Sequence, residues 1–146
     1  MSHRIESLEQ FIELWTGIYN KEGKPDWSHI LPFYDGDITF RDSIQTIHGL
    51  KDFAEMTERL TDRSKALKFL IHNGTMDDKT IFIEWEMILS FKKYPQSSLY
   101  GASRITLNDD GRIIGQRDYF DLWGDIFDNI PRFGKLYRKF MRNKFG

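Results

Sequence analysis

From about Leu67 onward the apolar residues of this chain change their spacing, and no other feature constrains the fold as much. Before that point they recur every three or four positions: Leu8, Phe11, Ile12, Trp15, Ile18 and Tyr19, then Leu50, Phe53, Met56 and Leu60. That is the stripe of an amphipathic helix. After it they recur at every second position, as in Ile81, Ile83, Trp85, Met87 and Leu89, which is the period of a strand. The spacing predicts a helix over 7–19, with Ser7 and Gln10 as a capping box. Asn20 to Pro25 breaks it. Asp26 caps a short second helix that ends near Pro32, and Tyr34 to Asp37 reads as a turn. A short strand over 38–42 precedes a third helix that follows Gly49 and runs to about Asp62. Strands then follow over 67–73, 80–91, 99–107 and 112–121, with a strong hairpin turn at Asn108-Asp-Asp-Gly111. Helices first and consecutive strands after is an α+β order rather than βαβ alternation. The expected architecture is a cone-shaped, curved antiparallel sheet with helices on its concave side, plus a C-terminal helix.

The length of 146 residues suits one domain, and no linker, repeat or low-complexity tract divides it. We therefore expect 1–146 to be a single domain, with 124–146 a basic amphipathic extension. Aromatic residues make up 15% of the chain, so the core or its pocket is unusually aromatic. The absence of Cys rules out thiol nucleophiles and Cys-based metal sites and fits a reducing, cytoplasmic compartment. The N-terminus carries no apolar stretch of a secretory signal, and no apolar run approaches membrane-spanning length.

Charge is uneven. Residues 129–146 hold six Lys/Arg and no acid, whereas residues 1–128 hold 15 Lys/Arg against 22 Asp/Glu, a balance of −7. An acidic body argues against nucleic-acid binding. In the tail, Phe133, Leu136, Tyr137, Phe140 and Met141 share one side of a helix and the bases cover the other. Pro131 sits near its start. Docking of this helix on the domain or on a second subunit is favoured over contact with an anionic membrane.

Three places hold carboxylates inside apolar elements: Asp42 at the end of the first strand, Glu86 (with Glu84) in the longest strand, and Asp118 in the last. Burying such a group costs free energy unless it is paired or protonated, and it raises the pKa toward values useful for proton transfer. Arg104 has the parity of Tyr100, Ala102 and Thr106; if that face is inward it can pair with Asp118 or Glu86. Glu84 and Glu86 have two readings. They lie on a solvated face opposite Ile83, Trp85 and Met87, or they line the cone and leave that apolar row outside. The second reading leads to a homodimer packed through the Ile81/Ile83/Trp85/Met87 face. None of the four His has metal-ligand spacing, and His72 reads as a strand histidine without catalytic duty. No phosphate-binding loop, dinucleotide fingerprint or Gly-x-Ser-x-Gly is present. No metal or cofactor is expected.

In order along the chain stand the early helix with Trp15, Phe40-Arg-Asp42 before Gly49, Ile81-Phe-Ile-Glu-Trp85, Gly101-Ala-Ser-Arg-Ile-Thr, Asp110-Gly-Arg-Ile-Ile and Arg117-Asp-Tyr-Phe-Asp121. This pattern resembles the nuclear transport factor 2-like superfamily in its SnoaL-like branch, over roughly residues 5–125. The resemblance implies a small apolar or polycyclic ligand and a homodimer. It implies Asp118 as a general acid/base of an isomerase or cyclase, with Asp42 or Glu86 as partner and Arg104 holding charge. The alternative is a non-catalytic ligand-binding or dimerisation module. Trp15, Tyr19, Phe40, Phe53, Met56, Tyr100, Gln116 and Phe120 are the implied ligand contacts. Limonene-epoxide-hydrolase-like proteins share the Arg-Asp-Tyr-Phe-Asp strand. Where they carry a strand Arg and its paired Asp, this chain has Glu84 and Glu86. Phe40 and Asp42 stand in place of their Tyr and Asn, and Gln116 in place of an aromatic residue.

Overall fold

The structure is a computed structural model that describes residues 2–19, 25–63, 66–91, 94–126, 130 and 132–146. The expected breaker at 20–24 and Pro131 lie outside the described residues. Helix α1 spans Leu8–Tyr19 and buries Phe11, Trp15, Ile18 and Tyr19. Ser7 Oγ accepts from the Gln10 N–H at 3.2 Å, but Gln10 Oε1 accepts from the Glu6 N–H at 2.7 Å rather than returning to Ser7. A 3-10 turn over Leu31–Phe33 leads into β1 (Tyr34–Arg41), β2 (Thr46–His48) and α2 (Leu50–Arg63). Strands β3 (Ala66–Asp77), β4 (Thr80–Phe91), β5 (Tyr94–Leu107) and β6 (Ile113–Phe120) follow. A π-helical turn over Leu122–Ile126 precedes α3 (Phe133–Phe145).

The six strands form one curved, unclosed sheet in the order β2-β1-β6-β5-β4-β3. Its antiparallel meander β3 to β6 is extended by β1, which lies parallel to β6 with Phe40 opposite Gln116. Register shifts in β3 between Ile71 and Asn73, and at the β5–β6 end between Thr106 and Leu107, mark bulges of the kind that bend strands. The segment 34–37, expected as a turn, is the irregular start of β1, whose pairing with β6 shifts register between Tyr34 and Thr39.

The concave face is now defined by burial. Ile81, Ile83 and Trp85 of β4 are 0–2% exposed, while Phe82 is 47% exposed. The second reading of β4 is therefore corrected: the apolar row faces the helices, and Phe82, Glu84 and Glu86 point away. A sheet covered on one face places its bulkiest apolar row inward. The parity expected for β5 is reversed too. Leu99, Ser103, Ile105 and Leu107 are buried, and Tyr100 and Arg104 are exposed. Opposite Trp85 lies Gly101, where a Cβ would fall 2.4 Å from the indole ring. Only a bare backbone lets that ring lie flat on β5.

Aromatic contacts join the helices to the sheet. Phe69 meets Trp15 at 5.4 Å, Tyr19 at 4.9 Å and Trp85 at 5.4 Å, and Phe53 meets Tyr34 at 4.7 Å and Phe40 at 5.6 Å between ring centroids. Helix α3 is treated differently. Trp123 stacks on Phe133 and Tyr137, and Arg138 donates to the Gly124 carbonyl at 3.2 Å. Leu136, Phe140 and Phe145 are 56–77% exposed. Among the described residues, the expected docking of the apolar side on the body is seen at the π-helical turn. Among the described residues no helix is long and apolar enough to cross a membrane.

Candidate functional site

Between the helices and the concave face lies a cavity of about 380 Å³. Its walls are Trp15 and Tyr19 of α1, Phe53 and Met56 of α2, and Phe69, Trp85, Leu99 and Phe120 of the sheet. Polar groups enter it at few points. Asp118 and Gln116 project from β6, Asp42 and Gln45 from the β1–β2 turn, and Arg59 and Arg63 from the end of α2. A second, more open groove of about 340 Å³ lies on the far side of α2, between Trp27 and Asp62.

The sheet register explains that network. Asp118 is paired across β5–β6 with Ser103, and Ser103 across β4–β5 with Ile83. The Trp85 indole N–H donates to Ser103 Oγ at 2.9 Å, and Ser103 donates to Asp118 Oδ1 at 2.6 Å. From the other side the Tyr34 hydroxyl donates to Gln116 Oε1 at 2.6 Å, and Gln116 Nε2 donates to Asp118 Oδ1 at 3.2 Å. Every donor points toward the carboxylate. Oδ2 receives only a long contact of 3.4 Å from Gln116, so this oxygen is the one left for a ligand.

Asp118 keeps accessible surface, but that surface faces the cavity and protein surrounds the group on all sides. Burial pushes its pKa up to about 6; the hydrogen bonds from Ser103 and Gln116 oppose the rise, and the nearby Asp42 adds to it. Asp42 Oδ1 is held in its turn by the N–H groups of Ile44 and Gln45 at 2.8 and 2.9 Å. Burial, then the Asp118 charge, drives the Tyr19 hydroxyl well above its ordinary pKa, so it stays a proton donor. Among the described residues it has no hydrogen-bond partner. Tyr34 is raised for the same reasons. The buried Trp15 N–H makes no hydrogen bond, although it lies close enough to the Tyr34 oxygen to favour the ionised form.

A model of the SnoaL-like domain family matches residues 8–116. The chain belongs to that family. No curated protein sequence matches this one. Among solved structures, the chain is similar to a limonene-epoxide-hydrolase-like epoxide hydrolase from M. tuberculosis (20% identity, 89% of this chain and 93% of that one, TM-score 0.67). It is also similar to a protein with a ketosteroid isomerase-like fold from Catenulispora acidiphila, solved with trimethylamine (13% identity, 84% and 93%, TM-score 0.71). A third is a Jannaschia protein assigned to the SnoaL-like polyketide cyclases (17% identity, 88% and 98%, TM-score 0.68). At these identities the likeness carries the fold alone.

The SnoaL-like cavity thus gathers Asp118, Asp42, Gln116, Trp15, Tyr19, Phe40, Phe53, Met56 and Phe120 from the residues singled out in the sequence. It does not gather Glu86, Arg104 or Tyr100. Glu86 lies on the convex face, where hydrogen bonds from His72 at 3.0 Å and Ser98 at 3.0 Å hold its pKa low. Arg104 is exposed on the same convex face and reaches neither carboxylate, because its true parity is outward. Ser103, Tyr34, Arg59 and Arg63 were missed. Strand parity could have found Ser103, since it sits two residues from Gly101 and directly opposite Ile83. Among the described residues no cluster of His, Asp and Glu could hold a metal ion.

Proposed function

We propose that this SnoaL-like protein binds a small apolar molecule in the cavity and shifts a proton on it, as an isomerase or cyclase does, with Asp118 as general base and then acid. One observation carries the reading: a carboxyl group in an aromatic cavity, fed by inward-pointing donors, with its pKa at about 6. A base acts best when its pKa lies near the working pH. Removing a proton beside a carbonyl leaves an enolate oxygen that needs a donor. The Tyr19 hydroxyl, neutral and without a hydrogen-bond partner among the described residues, supplies one, whereas the Tyr34 proton is taken by Gln116. Asp42 raises the basicity of Asp118 without touching the substrate's reacting atom.

Epoxide hydrolysis has less support. Among the described residues no arginine bridges the two carboxylates: Glu84 occupies the strand position expected for it and points outward, and Arg104 does likewise. Support for a homodimer comes from the convex face, where Phe82, Tyr100 and Tyr119 are 46–54% exposed. That replaces the face inferred from sequence.

The test uses 3-cyclohexen-1-one, a small β,γ-unsaturated ketone whose conjugation is followed by ultraviolet absorbance. The chain should accelerate its isomerisation, with the rate rising through pH 6 to a plateau as Asp118 ionises. Asp118→Asn should lower the rate at least about hundredfold, as loss of a general base does. Tyr19→Phe should lower it about tenfold. An Asp118→Asn variant with full activity would remove Asp118 from the mechanism.

A further inference from the structure

Helix α2 runs along the cavity, presenting Phe53, Met56, Leu60 and Arg63 in one stripe with Arg59 beside it. Its Phe53 end is the Asp118 end: Phe53 packs on Tyr34, whose hydroxyl reaches Gln116, which reaches Asp118. At a rise of about 1.5 Å per residue, Arg59 and Arg63 stand about 9 and 15 Å farther along the axis. Neither arginine makes a hydrogen bond or ion pair among the described residues. Glu55, one turn before Arg59, is turned to Lys51 at 4.0 Å. Two like charges one helical turn apart repel each other. The wall also holds Met56, Leu60 and Gln45, and Gln45 donates its backbone N–H to Asp42, the carboxylate of the β1–β2 turn. The neighbouring charge that raises the Asp118 pKa is that of Asp42.

We infer that the cavity selects an elongated apolar ligand carrying an anionic group, a carboxylate, sulfonate or phosphate, on the order of 10 Å from its reacting atom, with Arg59 and Arg63 clamping that group at the mouth. Guanidinium pairs suit planar and tetrahedral oxyanions because each offers a fork of donors. The apolar portion stacks on Trp15, Phe69 and Trp85 and brings the other end to Asp118. A ligand with a cationic head would meet the wrong charge at the mouth. The inference rests on the cavity as the ligand site but not on the catalytic role of Asp118.

The probes are 6-phenylhexanoate and its isosteric amide, 6-phenylhexanamide. The protein is labelled with [methyl-13C]methionine: Met56 and Met87 report the cavity, and Met141 reports α3. Titration should shift Met56 and Met87, with the carboxylate binding at least fivefold tighter than the amide and losing that advantage at high salt. Arg59→Gln/Arg63→Gln should bring the two affinities within twofold by weakening the carboxylate alone. No preference in the parent protein, a preference that survives the double substitution, or equal loss of both compounds would overturn the inference and leave the Asp118 reading intact. Silence of Met56 and Met87 with both compounds would overturn the cavity reading as well.

Discussion

Phe69 and Phe140 each follow a lysine and precede an apolar residue, yet Phe69 is 1% exposed and Phe140 is 56% exposed. The difference lies in what converges on them. Phe69 sits where α1, β3 and β4 meet, and the rings of Trp15, Tyr19 and Trp85 touch it. Phe140 lies on a helix whose contacts with the body, among the described residues, run through the π-helical turn. Aromatic content alone therefore does not make a core. Convergence of several elements on one point does, and on α3 the same residue types remain an open surface.

The sharpest break between the two regions is energetic. Phe69→Ala should cost about 3–5 kcal/mol by urea denaturation, as large-to-small changes in packed cores do. A cost near zero would mean that the cavity wall tolerates collapse. Gly101→Ala should cost about 3 kcal/mol, because its methyl group must displace Trp85 or the strand. A gain in stability would show that the indole ring does not rest on the backbone there.

Asp118 gives the cavity region a pH dependence of its own. Its native pKa of about 6 lies above that of an unfolded aspartate, so the folded state holds its proton more tightly. Its contribution is thus most favourable below about pH 4 and is lost as pH rises toward about 6, a change of about 2 kcal/mol. Asp118→Asn should flatten that segment of the stability curve and make the protein more stable than its parent at pH 7. An unchanged slope between pH 4 and 6 would show that another group carries it.

The smallest effects belong to α3. Phe140→Ala should alter stability by no more than about 0.5 kcal/mol. Ending the chain before Ile130 should move the melting temperature by no more than about 2 °C. A larger loss that vanishes on dilution would show that a second copy covers the helix.

The period switch at residue 67 made α1, α2 and the β3–β6 meander legible, because amphipathic elements write their partners' position into their own spacing. Asp118 was legible for a related reason: a carboxylate inside an apolar strand conflicts with its surroundings. What local pattern could not settle was the facing of β4 and β5. Both faces of β4 carry large apolar groups, Phe82 on one and Ile83 on the other, so alternation gave a register without a direction. The wrong choice moved Trp85 out of the cavity and Arg104 into it. The three-residue strand β2 and the parallel pairing of β1 with β6 were also invisible, since such contacts depend on distant chain. Arg59 and Arg63 carry no signal in the local sequence, and only the folded chain puts them on the cavity wall.

The direction of the hydrogen bonds around Asp118 has an isotopic consequence. Trp85, Ser103, Tyr34 and Gln116 all give their protons toward it, and neither the indole nor the amide behind them can pass one onward. If Asp118 is the base proposed above, a deuteron lifted from a ligand carbon onto it meets no relay through the wall among the described residues. It can leave only across the cavity, onto the bound molecule or out of the mouth behind it. While a ligand plugs that mouth, a label taken from one carbon should reappear on another carbon of the same molecule rather than in the solvent.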